Sequence, residues 1–236
     1  MPLQIKEKPV PARGNAVVRR DGSAPWHPFT QMKEFSALPK VVVTHGEGCW
    51  LEDDRGRRYL DGTASIWTNV HGYAHPELDA AVKDQLGKVA HSTYLGLAHG
   101  PAHRLEHKLV EISPMGLSRV FFSDNGSSAV EIALKLSFQY WQLAGYPEKK
   151  EVIAMKGAYH GDTFGAMSVG GGGMFHGRFG HWCFPVKRVS QPVCREVAGK
   201  VLEESDAAAL SELTKLLTDG AGGTAAVILE PWVQGA

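Results

Sequence analysis

The chain has 236 residues, enough to bury a sizeable core as one large domain or as a domain with a smaller lobe. Its 25 basic and 25 acidic residues cancel, so no global field draws it to nucleic acid or to an anionic membrane surface. No stretch approaches the ~20 apolar residues of a membrane span. Three widely spaced cysteines, Cys49, Cys183 and Cys194, lack metal-site spacing and suit free thiols in a reducing, cytoplasmic compartment.

Residues 1–25 mix proline, glycine and charge without period and read as a flexible arm. From Lys40 onward VVVTH, CWLED and RRYLDG are short apolar runs, the last two separated by Asp54, Arg55 and Gly56, which predicts a β-hairpin. Pro76 sits in the first turn of a helix on which Leu78, Ala81, Val82, Leu86 and Val89 recur at helical spacing, predicting one buried face. A second helix begins near Pro101 and is expected to bury Leu105, Leu109 and Ile112.

Beyond residue 118 the texture alternates: RVFFS, a helix from Ser127 to Leu143, EVIAM, FPVKRV, a helix over 207–218 with Gly220 as a stop, and AAVILE. That succession predicts an α/β fold. The helix from Ser127 is apolar around much of its circumference, as expected of a helix buried between layers. The glycine run 170–173 reads as a flexible loop.

Two clusters carry candidate chemistry. SDNGSSAVEIALK, residues 123–135, places a glycine–serine turn between an apolar strand and a long helix. The first amides of a helix have no intrahelical acceptor and sit at its positive dipole end, which suits a phosphate. GAYHGDTFGAMSVGG, residues 157–171, comes directly after EVIAM, so Tyr159, His160, Asp162 and Thr163 lie past a strand's carboxyl end, where open α/β sheets bind ligands. Tyr159 could stack on a planar ring, His160 could exchange a proton, and Asp162 and Thr163 could hold the loop. An ordinary strand-to-helix connection and a buried tyrosine beside a satisfied histidine are the plain alternatives. His103, Glu106 and His107 spell HRLEH, the HxxEH pattern of one class of zinc hydrolase. With no third-ligand context, an amphipathic helix with exposed histidines is the preferred reading, and no metal is expected.

Together with the terminal EPWVQGA, these two clusters resemble the class III (ω-type) aminotransferases of fold-type I, which bind pyridoxal 5′-phosphate. WHPFTQM at 26–32 and DGTASIWTNVHGYAHPEL at 61–78 narrow the likeness to the branch that transfers an amino group from S-adenosylmethionine to 8-amino-7-oxononanoate in biotin synthesis. The resemblance implies an incomplete large domain with a mainly parallel sheet over 76–236, and part of the small domain over 26–75. It implies that Gly126 and Ser127 bind the cofactor phosphate, that Tyr159 stacks on its ring beside His160, and that Glu230 supports this network. Trp67, with Trp26 and Phe29, would wall the substrate cleft. Phe29 stands where the family commonly has tyrosine, and Ile66 where close relatives often have tryptophan, so another class III ω-aminotransferase is the alternative. A homodimer is also implied.

In the family a Schiff-base lysine and an aspartate at the pyridine nitrogen lie downstream of EPxVQG. No residue here matches either, and Lys135 reads as structural. The chain by itself is therefore expected to be an inactive amino-terminal portion, a non-catalytic fragment or a split subunit.

Overall fold

The computed structural model of the protein describes residues 26–192, 194–197, 200–204, 206–219, 222–231 and 234. The arm expected over 1–25 and the stop expected at Gly220 lie outside the described residues. The chain divides into two units, one ending at His103 and the other beginning at Arg104.

The first unit begins with α1 (Met32–Ala37), capped by the Gln31 side chain, which accepts the Lys33 N–H at 3.1 Å. The expected hairpin is the second half of a three-stranded antiparallel meander, β1 (Val43–Glu47), β2 (Trp50–Asp53) and β3 (Arg58–Leu60). Its β2–β3 turn is built on Asp53, which is 2% exposed. That carboxylate accepts the N–H groups of Arg55 and Arg57 at 3.0 and 2.9 Å, Arg57 Nε at 2.7 Å and the Tyr59 hydroxyl at 3.0 Å. Burial pushes its pKa up, but these hydrogen bonds outweigh it and hold the group far below the ordinary carboxylate range.

After β3 the chain makes α2 (Ala64–Trp67), a single turn whose four residues have φ of 49°, 50°, 55° and 65°. Its hydrogen bonds run from Trp67 N–H to Thr63 C=O and from Thr68 N–H to Ala64 C=O, at 2.8 and 2.9 Å. It is a left-handed turn of L-residues, which costs ~1–2 kcal/mol per residue from Cβ crowding. Two helices come next, α3 (Pro76–Leu86) and α4 (Gly100–Ile112), the latter running across the boundary between the units. The apolar faces expected to be buried on them are not covered. Leu78, Val82, Leu86, Leu105 and Ile112 are all exposed, and neither helix has a buried residue.

The second unit holds a parallel sheet in the order β5 (Lys187–Val189), β4 (Glu151–Met155), β8 (Thr224–Ile228). β4 pairs in register Ile153↔Lys187 on one side and Ile153↔Val227 on the other. The long helix α5 (Gly126–Leu143) lays Val130 and Leu134 on Val152, Ala154 and Val169, and Trp141 Nε1 donates to Ala225 C=O at 2.8 Å. After β4 come α6 (Phe164–Val169), buried from Ala166 to Val169, and the short α7 (Gly173–His176), with a 3₁₀ turn over Gly177–Trp182. A two-stranded antiparallel hairpin, β6 (Cys194–Val197) and β7 (Lys200–Glu204), precedes α8 (Asp206–Asp219).

Two expectations are corrected in this unit. The run RVFFS, residues 119–123, forms no strand, because a strand exists only through exchange of hydrogen bonds with a neighbour and no described strand runs beside it. α5 is packed on one face only, with Leu136, Phe138, Tyr140 and Leu143 between 50% and 82% exposed. The glycine run also does more than loosen a loop. Gly171 donates its N–H to Ala158 C=O, and a Cβ there would lie 2.5 Å from Gly157 Cα, so two backbone segments touch where only glycine fits.

Candidate active site

The start of α5 is the centre of the site. Asn125 caps the helix by accepting the Ser128 N–H at 2.8 Å, and Gly126 and Ser127 supply first-turn amides that precede any intrahelical acceptor. Ser127 Oγ accepts the N–H of Asp162 at 3.2 Å, tying this end to the loop after β4. Gly161, at φ 124°, makes that approach possible, since a Cβ on it would overlap Ser127 Oγ. One turn further along α5, Glu131 accepts the Thr163 hydroxyl and the N–H groups of Gly165 and Ala166, the latter two at 2.7 and 3.3 Å. Glu131 thus caps α6, so the beginnings of two helices are fixed against each other.

Past β4, Tyr159 is held at both ends. Its backbone N–H donates to Glu230 Oε1 at 3.1 Å, and its hydroxyl to Asp162 Oδ2 at 2.8 Å. The other Asp162 oxygen lies 2.9 Å from Nε2 of His176, a residue 5% exposed whose ring stacks on Tyr159 with centroids 5.7 Å apart and planes 22° apart. Burial, reinforced by Asp162, pushes the Tyr159 phenol up, so it stays a neutral donor. For His160, burial pushes the pKa down, Glu230 opposes this and Arg188 adds to it, which leaves a neutral imidazole at neutral pH. Its Nε2 is buried without a hydrogen-bond partner. An orphaned acceptor or donor beside a ring-presenting tyrosine and a free helix end fits a planar, phosphorylated group better than it fits a sealed core.

A profile of the class-III aminotransferases matches residues 32–236. The adenosylmethionine-8-amino-7-oxononanoate aminotransferase of Geobacter sulfurreducens is 48% identical over 216 residues, which cover 89% of this chain and 47% of that protein. This protein belongs to the class-III aminotransferase family. The crystal structure of the Methanocaldococcus jannaschii protein of the same name superposes with a TM-score of 0.79 at 40% identity, covering 89% of this chain and 45% of that one. An amine transaminase from an uncultivated Pseudomonas species, solved in its PLP-bound form, gives a TM-score of 0.78 at 30% identity, with 92% and 50% covered. The class-III chain therefore has the fold-type I α/β architecture and spans about half the length of the relatives it matches.

Of the residues singled out from the sequence, Ser127 and Tyr159 meet through Asp162, Glu230 holds the Tyr159 N–H, and His160 follows Tyr159 in the chain. Trp26, Phe29 and Trp67 belong to the first unit, where they are 86%, 78% and 70% exposed. Trp67 closes the left-handed turn, and Phe29 also has a positive φ of 50°. Lys156 is committed elsewhere, to Ser190 Oγ at 3.1 Å and Glu212 at 3.6 Å. Lys135 lines a cavity of about 720 Å³ between α5 and the sheet, with Leu134, Phe138 and Val186, away from Tyr159 and His160. Sequence reasoning missed Glu131 and His176. Glu131 stands four residues after Ser127, on the same helical face, which is a usable signal. His176 is fourteen positions from its partner and leaves no local trace.

Proposed function

We propose that this class-III chain takes part in amino-group transfer from S-adenosylmethionine to 8-amino-7-oxononanoate, the two compounds in the relatives' names, with pyridoxal 5′-phosphate as cofactor. The observation that carries the cofactor assignment is the junction at Ser127, where a helix start, Asp162 and the Tyr159 ring are locked together. The cofactor, when bound, supplies an electron sink for the substrate's α-carbon.

The chain's own residues do the holding. The amides of Gly126 and Ser127 and the Ser127 hydroxyl bind the phosphate, where the helix dipole favours negative charge. Glu230 fixes the Tyr159 backbone and Asp162 its hydroxyl, so the ring stands as a rigid wall for the pyridine, with His176 behind it. His160 adds a neutral imidazole to the same wall. Trp67, Trp26 and Phe29 offer apolar surface to the oxononanoate chain. The strain stored in the Ala64–Trp67 turn supports a role for Trp67, because backbone strain gathers where a side chain must be held in one place.

Proton shuttling requires a lysine amine and ring-nitrogen stabilisation requires an aspartate, and among the described residues none is placed for either role. A homodimeric, cytoplasmic protein that carries this sequence together with such a lysine and aspartate is the form that reacts. The test is amino transfer to 8-amino-7-oxononanoate with S-adenosylmethionine, compared with simple primary amines as donors. The adenosyl donor should be preferred in protein that contains this sequence together with the lysine, and the 236-residue chain should give none. Equal rates with simple amines would contradict the substrate assignment.

A further inference from the structure

We propose that one turn of α4 binds a divalent transition-metal ion through His103, Glu106 and His107. The inference is independent of the cofactor chemistry. Positions i, i+3 and i+4 of a helix share one face, which turns three separate residues of the sequence into one cluster. The ligand-capable atoms of these three side chains lie within 4.8 Å of one another. Two donors bound to a single zinc ion at ~2.0–2.1 Å sit roughly 3.3 Å apart in a tetrahedron. Rotation of side chains that reach solvent closes this gap, since both imidazoles are exposed and Glu106 is half-buried.

The donor set fixes the class of ion. Two imidazoles and one carboxylate suit zinc, copper and nickel and offer little to magnesium, which demands an oxygen shell and keeps its water. Among the described residues no fourth histidine, cysteine or carboxylate joins the group, so water completes the coordination. All three residues already carry interactions in the folded chain, and the ion must displace those that involve the ligand atoms. This makes binding weaker than at a closed structural site. A bound ion would staple the turn of α4 and stabilise the helix by mass action. Because imidazole ligates only when deprotonated, binding weakens as the solution is acidified.

Competition against a chromogenic zinc chelator tests the proposal on the 236-residue chain, with zinc, copper and magnesium chlorides as probes. One ion per chain is expected, with copper held more tightly than zinc and magnesium not held. His103→Ala or His107→Ala should each weaken zinc binding at least ~10-fold, and Glu106→Gln by a smaller factor. Far-ultraviolet circular dichroism of the metal-free variants should match the parent, since the histidines are exposed. Unchanged zinc affinity in the His103→Ala/His107→Ala double variant would overturn the proposal. So would a parent chain that takes up no zinc at about millimolar concentration.

Discussion

The carboxylate of Asp61 accepts the N–H groups of Thr63 and Ser65 at 3.1 and 2.8 Å and the hydroxyls of Thr63 and Tyr73 at 3.0 and 2.5 Å, and through them holds four consecutive left-handed residues in place. The Tyr73 hydroxyl, the largest influence, holds its pKa below the ordinary range against the opposing effect of burial. A carboxyl whose folded pKa is depressed stabilises the fold fully above its unfolded value of ~3.9 and loses that contribution as pH falls through the folded value. Tryptophan fluorescence measured from about pH 6 downward should therefore change below about pH 4. Asp61→Asn should show part of that change already at neutral pH and a shallower acid transition. Superimposable profiles for parent and variant would sink this account of the turn. Ser65, Ile66 and Trp67 carry no glycine to announce positive φ, so nothing local in the sequence could forecast the turn. Gly161 is a different case, a glycine whose reason, the approach of Ser127, is tertiary.

At the scale of elements, the strand EVIAM, the helix after NGSS and the hairpin around Asp54–Gly56 were legible because each carries a local period or turn chemistry. RVFFS has equal strand propensity and forms none, which shows how far a strand depends on a neighbour rather than on itself. The fullness of α5 misled in a similar way, since an apolar circumference forecasts burial only where another layer covers it. The covered part centres on β4, whose Ile153 and Ala154 are fully buried. Ile153→Ala should lower unfolding free energy by about 2–5 kcal/mol in urea, whereas Leu143→Ala, at an 82% exposed position, should change it by less than about 0.5 kcal/mol. Similar costs at the two positions would mean the core lies elsewhere.

For the molecule as a whole, the buried apolar residues among those described fall in the second unit, while Leu95, Met115, Phe121 and Trp182 are 69% to 102% exposed. Apolar surface on this scale drives association. Sedimentation of the 236-residue chain should show species above the monomer, and a monodisperse monomer with a cooperative melt would contradict that. No helix among the described residues is long and apolar enough to cross a membrane. The α/β class was readable in advance, and so were 123–135 and 157–171 as two separate candidate clusters, each marked by turn chemistry just past a strand-like run; that Ser127 meets Asp162 was not. The buried partnership of His176 with Asp162, and the pairing of Glu131 with α6, were not, because they join residues that only the fold brings together.

The central claim is that the opening turn of α5 grips the phosphate of the cofactor. Its most direct test is equilibrium binding of pyridoxal 5′-phosphate and of unphosphorylated pyridoxal to the parent chain and to Ser127→Ala. The account predicts that Ser127→Ala weakens binding of the phosphorylated compound by about 10-fold, as for loss of a hydrogen bond to a charged group, and leaves pyridoxal unchanged. Equal affinity of parent and variant for pyridoxal 5′-phosphate would contradict it.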